Sequence, residues 1–162
     1  MNFIKEEVKK ILIIKFGGVG DVLLSTAIIK NLKDYFTNSK IYFLTSPSTS
    51  DVVDGNPNLE RVLTFDLKND KSYCLIKTIR KQKYDLIIDL STNPRTNLVN
   101  FFSGAKYRMG FDFPFRNFGY NIKIPARDKG GEYHNLDFNL LALDYIGIPI
   151  TSREQNIYLE DK

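Results

Sequence analysis

The chain has 162 residues, 43% of them hydrophobic and 26% charged, and its formal net charge is +4. This composition excludes a disordered chain and is typical of one globular domain, while a lone cysteine excludes an internal disulfide or a two-cysteine metal motif. No apolar run reaches the roughly 18 residues of a membrane span, and the charged N-terminus does not resemble a signal peptide, so we expect a cytoplasmic protein.

Apolar runs alternate with helical patterns from the N-terminus onward. Runs without polar alternation are typical of parallel strands covered on both faces, whereas apolar residues three or four apart indicate helices. Asn93 and Pro94 form a helix start, and Gly147 ends the last helix. In chain order the pattern predicts strands at 11–14, 41–44, 61–65, 84–90, 107–111, near 120–124 and, unless a linker begins there, at 157–159; helices are predicted at 22–36, 70–81, 93–104 and 135–146.

This alternation of strands and helices predicts an α/β fold, a Rossmann-like domain with a mainly parallel sheet and helices on both faces. Residues 112–131, rich in aromatics, arginine and glycine, are predicted to form a long functional loop. Cys74, between apolar neighbours, is interpreted as a small buried side chain. In such sheets ligands bind beyond the carboxyl ends of the strands, so the first strand-to-helix turn is the first candidate site.

The turn from Lys15 to Asp21 contains three glycines and opens a helix. Glycines allow a ligand to approach the backbone N–H groups closely. A dinucleotide fingerprint is excluded because Leu23 stands where its last glycine belongs, and the P-loop lysine and hydroxyl residue are absent. Asp21 has two interpretations that the residues leave open: it caps the helix, or it accepts a proton from a substrate hydroxyl.

Five segments together carry a resemblance to a known family. The run ILIIKFGGVGDVLL resembles the opening of glycosyltransferase family 9, the bacterial lipopolysaccharide heptosyltransferases, and further motifs of the family follow in the same order. They are Gly55-Asn56-Pro57 with Arg61-Val62, residues 84–90 with Asn93 and Arg95, residues 103–106 with Arg108, Gly110 and Phe111, and His134 ahead of residues 140–143 and Gly147.

The resemblance implies the N-terminal half of a GT-B fold. Residues 1–162 would be a single acceptor-side domain, and the nucleotide-sugar domain would be absent from this chain. It also implies an inverting, metal-independent sugar transfer without a cofactor, catalysed by the two-domain protein and not by the isolated chain. Asp21 matches the family's catalytic aspartate, and no D-x-D pair occurs in the chain.

The expected partners are a glycan or glycolipid acceptor, a nucleotide-sugar donor bound by the missing C-terminal domain, and the inner membrane as a peripheral contact, with no nucleic acid. The residues expected to bind the acceptor are Lys15, Gly18, Gly20, Asn93, Arg95, Arg116 and His134. A structural role remains open for His134 and the arginines. The alternative function is a stand-alone binding or scaffold module that kept the fold without catalysis.

Overall fold

The structure is a computed structural model that describes residues 5–126 and 135–158. Short 3-10 helices lie at Lys5–Glu7 and Pro47–Val52. The strands are β1 (Lys10–Ile14), β2 (Lys40–Thr45), β3 (Arg61–Thr64), β4 (Leu86–Asp89), β5 (Tyr107–Phe111) and β6 (Ile122–Ile124). The helices are α1 (Val19–Ser25), α2 (Ala27–Tyr35), α3 (Ser72–Gln82), α4 (Pro94–Phe102) and α5 (Asn135–Tyr145).

The six strands form one parallel sheet in the order β3-β2-β1-β4-β5-β6. Ile14, the last residue of β1, lies opposite Leu44 on one side and Asp89 on the other, so the carboxyl ends of three strands meet. The predicted α/β Rossmann-like fold with a parallel sheet is confirmed.

The core has two layers because the sheet is covered on both faces. Side chains of β1 alternate between them: Ile11 and Ile13 pack with α1, α2 and α5, while Leu12 and Ile14 pack with α3 and α4. All four are fully buried. The unbroken apolar run of β1 therefore follows from burial on both faces.

Two local predictions were wrong, and of the two alternatives for residues 157–159 the strand is not seen in the described part. The helix predicted over 22–36 is two helices, since the hydroxyls of Ser25 and Thr26 donate to the carbonyls of Val22 and Leu23 at the junction. Cys74 is exposed on α3, because Leu75 and Ile79 are the residues that face the sheet. Residues 157 and 158 form no strand.

The last described segment, residues 148–158, returns along the helices of one face. Asn31, buried on α2, accepts from the backbone N–H groups of Thr151 and Ser152 and donates to the carbonyl of Ser152. No helix in the described part of the chain is long and apolar enough to cross a bilayer.

Candidate functional site

The candidate site lies at the carboxyl ends of β1 and β4. The strand order reverses between these two neighbours, since the chain moves outward through β2 and β3 and then returns to add β4, β5 and β6. Such a switch point leaves a crevice between two diverging loops and is where open parallel sheets bind ligands. The turn after β1 and the loop after β4 are the walls of this crevice.

Asp21 occupies the first turn of α1 and is half-buried. Its Oδ2 accepts a hydrogen bond of 3.2 Å from the backbone N–H of Gly18, the residue that caps the helix. The capping contact expected from the sequence is therefore present. The contact fixes the position of the carboxylate, and a proton acceptor also needs a fixed position.

Gly17 is the residue that brings the turn close to this carboxylate. Its φ is +152°, and a Cβ built on it would lie 2.8 Å from Asp21 Oδ2 and 2.9 Å from Asp21 Cβ. A side chain at position 17 would therefore displace Asp21. Gly20 differs, because a Cβ there would meet no atom within 4 Å.

We expect Gly17→Ala to lower the free energy of unfolding by roughly 1–3 kcal/mol, since it adds both a strained φ and a steric contact. The matched control is Gly20→Ala, which lies within α1 and should be neutral or stabilise the protein by about 0.5–1 kcal/mol. Thermal melts of the two variants measure the difference. Equal stability of both would contradict the close contact between Gly17 and Asp21.

Lys15 follows β1 directly, and its side chain lies across the gap to β4. Its Nζ is 3.5 Å from the carbonyl oxygen of Leu90. Burial lowers the pKa of Lys15, and the nearby carboxylates of Asp21 and Asp89 oppose this shift. The Lys15 side chain thus lies near both acidic side chains at the switch point.

Asp89, the last residue of β4, is fully buried and accepts four hydrogen bonds. Its Oδ1 accepts from the N–H groups of Ser91 and Thr92, at 2.9 and 3.1 Å. Its Oδ2 accepts from Tyr120 Oη at 2.7 Å and Asn100 Nδ2 at 3.1 Å. Burial raises the pKa of Asp89, while the hydrogen bonds oppose the shift. The carboxyl group therefore organises the loop after β4.

A direct hydrogen bond joins the two walls of the crevice. Ser91 Oγ accepts from the backbone N–H of Phe16 at 2.6 Å, although the two residues are 75 positions apart. Asp89 thereby positions Ser91, and Ser91 positions the turn that leads to Asp21. This role of Asp89 and Ser91 was not predicted from the sequence, where the only signal was an acidic residue that ends an otherwise apolar strand.

Asn93 and Arg95 begin α4 at the same edge of the sheet. Asn93 Oδ1 accepts from the N–H of Thr96 at 2.9 Å, so the predicted helix cap is confirmed. Arg95 is exposed, and its guanidinium donates to the carbonyl of Leu67 in the segment between β3 and α3. The structure thus brings the turn with Lys15, Gly18, Gly20 and Asp21 next to the loop that leads to Asn93 and into the first turn of α4 with Arg95.

Residues 112–121 connect β5 to β6 as a crossover without a helix, and Arg116 is exposed on it. The backbone carbonyl of Arg116 accepts from Asn97 Nδ2, and the Tyr120 ring lies where a side chain on Gly110 would be. His134 lies outside the described residues. Its role, like the acceptor-binding roles of the other residues, stays a prediction. Among the described residues, no group of three or more His, Cys, Asp or Glu could hold a metal ion.

The sequence relatives of the chain include proteins named as lipopolysaccharide heptosyltransferases. No protein-family model matches the chain. It is 21% identical over 152 residues to lipopolysaccharide core heptosyltransferase OpsX of Haemophilus influenzae, covering 92% of this chain and 44% of that protein. It is 27% identical over 143 residues to lipopolysaccharide heptosyltransferase 3 of Escherichia coli, covering 80% of this chain and 40% of that protein. The chain therefore spans less than half the length of these relatives.

Solved structures give the same fold. A glycosyl transferase family 9 structure from Veillonella parvula superposes with a TM-score of 0.81 at 22% identity, covering 99% of this chain and 47% of the other. The structure of E. coli heptosyltransferase WaaC with ADP superposes with a TM-score of 0.73 at 19% identity, covering 91% of this chain and 51% of the other. The resemblance to this family, first seen in the motifs, is confirmed.

Proposed function

We propose that the chain is the acceptor-binding domain of an inverting, metal-independent glycosyltransferase of lipopolysaccharide core biosynthesis or of a related glycolipid. The observation that carries the proposal is the position of Asp21. A half-buried carboxylate at the switch point of the sheet, held by the Gly18 N–H, lies within a chain whose relatives are heptosyltransferases.

In the proposed reaction, an acceptor hydroxyl attacks the anomeric carbon of the donor sugar from the face opposite the nucleotide. The new C–O bond forms as the bond to the nucleotide diphosphate breaks, and the configuration inverts. Asp21 takes the hydroxyl proton as general base. The donor would be bound by a second domain, so this chain supplies the base and the acceptor site.

The cations at the carboxyl edge fit an acceptor that carries phosphate or an acidic sugar. Lys15 lies inside the crevice, and Arg95 lies at the start of α4. Arginine binds phosphate or carboxylate through two parallel hydrogen bonds, whereas lysine acts as a point charge. A glycolipid acceptor would bring the protein to the cytoplasmic face of the inner membrane as a peripheral partner.

A second candidate is a binding or scaffold domain without catalysis. The hydrogen bond from the Gly18 N–H to Asp21 favours it, because that bond alone would explain an aspartate at this position. The two candidates differ in one respect: only the first needs a carboxylate that can accept a proton.

We expect residues 1–162 alone to fold but to transfer no sugar, because they pack a core on both faces of the sheet while the donor is proposed to bind to a second domain. The measurement is mass spectrometry of products formed from a panel of nucleotide sugars and a lipid A-type acceptor. The same assay on the two-domain protein is the positive control. Turnover by the isolated chain would refute the assignment of the donor site to a second domain.

A further inference from the structure

Four phenylalanine side chains are exposed on α4 and on the crossover between β5 and β6. Phe101 and Phe102 end α4, with 52% and 44% of their surface exposed, and Phe118 and Phe115 lie on the crossover, with 51% and 96% exposed. The rings of Phe101 and Phe102 are 5.0 Å apart, and Phe101 is 5.9 Å from Phe118. These three rings form a cluster, and Phe115 is exposed three residues before Phe118 on the same crossover. We call the four residues the phenylalanine patch; exposed apolar surfaces of this kind mark interaction sites.

The crossover that carries half of this patch is held in place by buried hydrogen bonds. Asn97, which is fully buried, donates to the carbonyl of Arg116 and accepts from the N–H of Gly119 at 2.7 Å. Gly119 packs so closely that a Cβ there would lie 2.2 Å from the Asn97 carbonyl oxygen. Phe115 has a φ of +62°, which bulky residues rarely adopt. The rings are therefore exposed on a fixed segment of the fold.

The surroundings of the patch are basic. Arg80, near the end of α3, donates to the carbonyl of Phe102 at 3.3 Å. Four of the seven residues from 77 to 83 are lysine or arginine, and none is acidic. The segment 95–123 adds five cations against one acid, Asp112, although one of the five, Lys106, forms an ion pair with Glu7. Two copies of this face would bring like charges together, so the charge favours an anionic partner over a second copy.

Exposed aromatic rings beside lysine and arginine are the composition of surfaces that enter the interface of an anionic bilayer. Stacked nucleic acid bases are a poorer fit, because Phe101 and Phe102 meet edge to face at 86° and do not present parallel ring faces.

We propose that this face docks on an anionic membrane surface. The phenylalanine patch enters the boundary between headgroups and acyl chains, and the basic residues of α3 contact the anionic headgroups. Tyr120, at the end of the same crossover, bonds to Asp89, so the docked surface connects directly to the crevice. Docking itself needs neither Asp21 nor sugar transfer, so it can be tested apart from the proposed function.

The test is co-sedimentation of the chain with phosphatidylcholine vesicles, with and without phosphatidylglycerol. We expect binding only to the anionic vesicles. Phe115→Ser with Phe118→Ser should weaken it by at least about tenfold, since exposed rings lose their burial in lipid. The matched control is Tyr145→Ser, which removes an aromatic ring 49% exposed on α5, on the other face of the sheet. It should bind as the unaltered chain does.

The charge component has its own pair of variants. Arg80→Gln with Lys83→Gln should lower binding to the anionic vesicles by roughly fivefold for each charge removed. Lys30→Gln on α2, whose helix covers the opposite face, should have no effect. All the substituted side chains are exposed, so we expect the variants to fold. Phe115→Ser alone is a further variant at the most exposed of these positions, where no core contact is lost.

Several outcomes would overturn the proposal. One is that the chain fails to sediment with anionic vesicles at all, and another is that the phenylalanine variant binds these vesicles as well as the unaltered chain does. A third such outcome is a dimer, detected by light scattering, that the phenylalanine variant no longer forms. Binding to single-stranded RNA that the phenylalanine variant loses, with no binding to vesicles, would assign the face to nucleic acid. Transfer to a soluble acceptor by the two-domain protein should be unchanged in the phenylalanine variant, which separates this proposal from the catalytic one.

Discussion

Replacing Asp21 by asparagine is expected to lower kcat of the proposed two-domain enzyme by about 10²–10⁴-fold, the usual contribution of a general base. The acceptor KM should change little, because the side chain keeps its size. Stability should also change little, because the asparagine oxygen can still accept the hydrogen bond from the Gly18 N–H. The measurement combines steady-state kinetics with thermal melts of the same preparations.

The matched variant is Asp21→Ala, which removes both the proton acceptor and the cap. If Asp21 only caps α1, the asparagine variant keeps its full rate, and the alanine variant loses about 1 kcal/mol of stability. If Asp21 is the base, both variants lose the rate, and only alanine loses the stability. An asparagine variant with the kcat of the unaltered protein would remove Asp21 from the mechanism.

The fold could be predicted because local patterns and one general rule of sheet packing are enough to specify it. The apolar run of β1 indicated a strand buried on both faces, and the structure shows it in the middle of the sheet. Parallel strands require crossovers, which explains the helices between them. Helix ends were less predictable, because the hydroxyls of Ser25 and Thr26 divide one apolar pattern into two helices.

The turn from Lys15 to Asp21 could also be found, since glycines after a buried strand are a local signal. The contacts that hold this turn in place could not be found from the sequence. Ser91 and Phe16, which are 75 positions apart, share a hydrogen bond, and so do Asp89 and Tyr120, which are 31 positions apart. No sequence pattern indicates either pair. Buried polar contacts between distant segments depend on the folded arrangement of the loops, which periodicity does not describe.

Asp89→Ala is expected to lower the free energy of unfolding by about 4 kcal/mol, because it leaves several buried donors without an acceptor at roughly 1–3 kcal/mol each. These donors are the N–H groups of Ser91 and Thr92 and the hydroxyl of Tyr120. The matched control is Asp85→Ala. Asp85 also accepts two backbone N–H bonds, but it is only half-buried at the other end of β4, so water can replace it at a cost of about 1 kcal/mol. Chemical denaturation measures both.

A pH series distinguishes the charge of Asp89 from its packing. Burial raises the folded pKa of Asp89 above its unfolded value, so between these two values the folded state keeps a proton that the unfolded chain has released. The contribution of Asp89 to stability is therefore complete below the usual carboxyl pKa and declines as the pH rises through the raised value. Asp89→Asn cannot titrate. The difference in stability between the unaltered chain and this variant should shift in favour of asparagine with rising pH.

Tyr120→Phe tests whether Asp89 acts through the crossover. It removes one donor to Asp89 Oδ2 and should cost roughly 1–2 kcal/mol, and its effect should be largely absent in an Asp89→Ala background because the two groups share one hydrogen bond. In the proposed two-domain enzyme, Tyr120→Phe should lower kcat less than Asp21→Asn does, since Tyr120 acts on the site indirectly, through Asp89, Ser91 and the turn after β1. Additive losses in the double variant would show that Asp89 and Tyr120 stabilise the two loops independently, and the proposed link between crossover and crevice would fail.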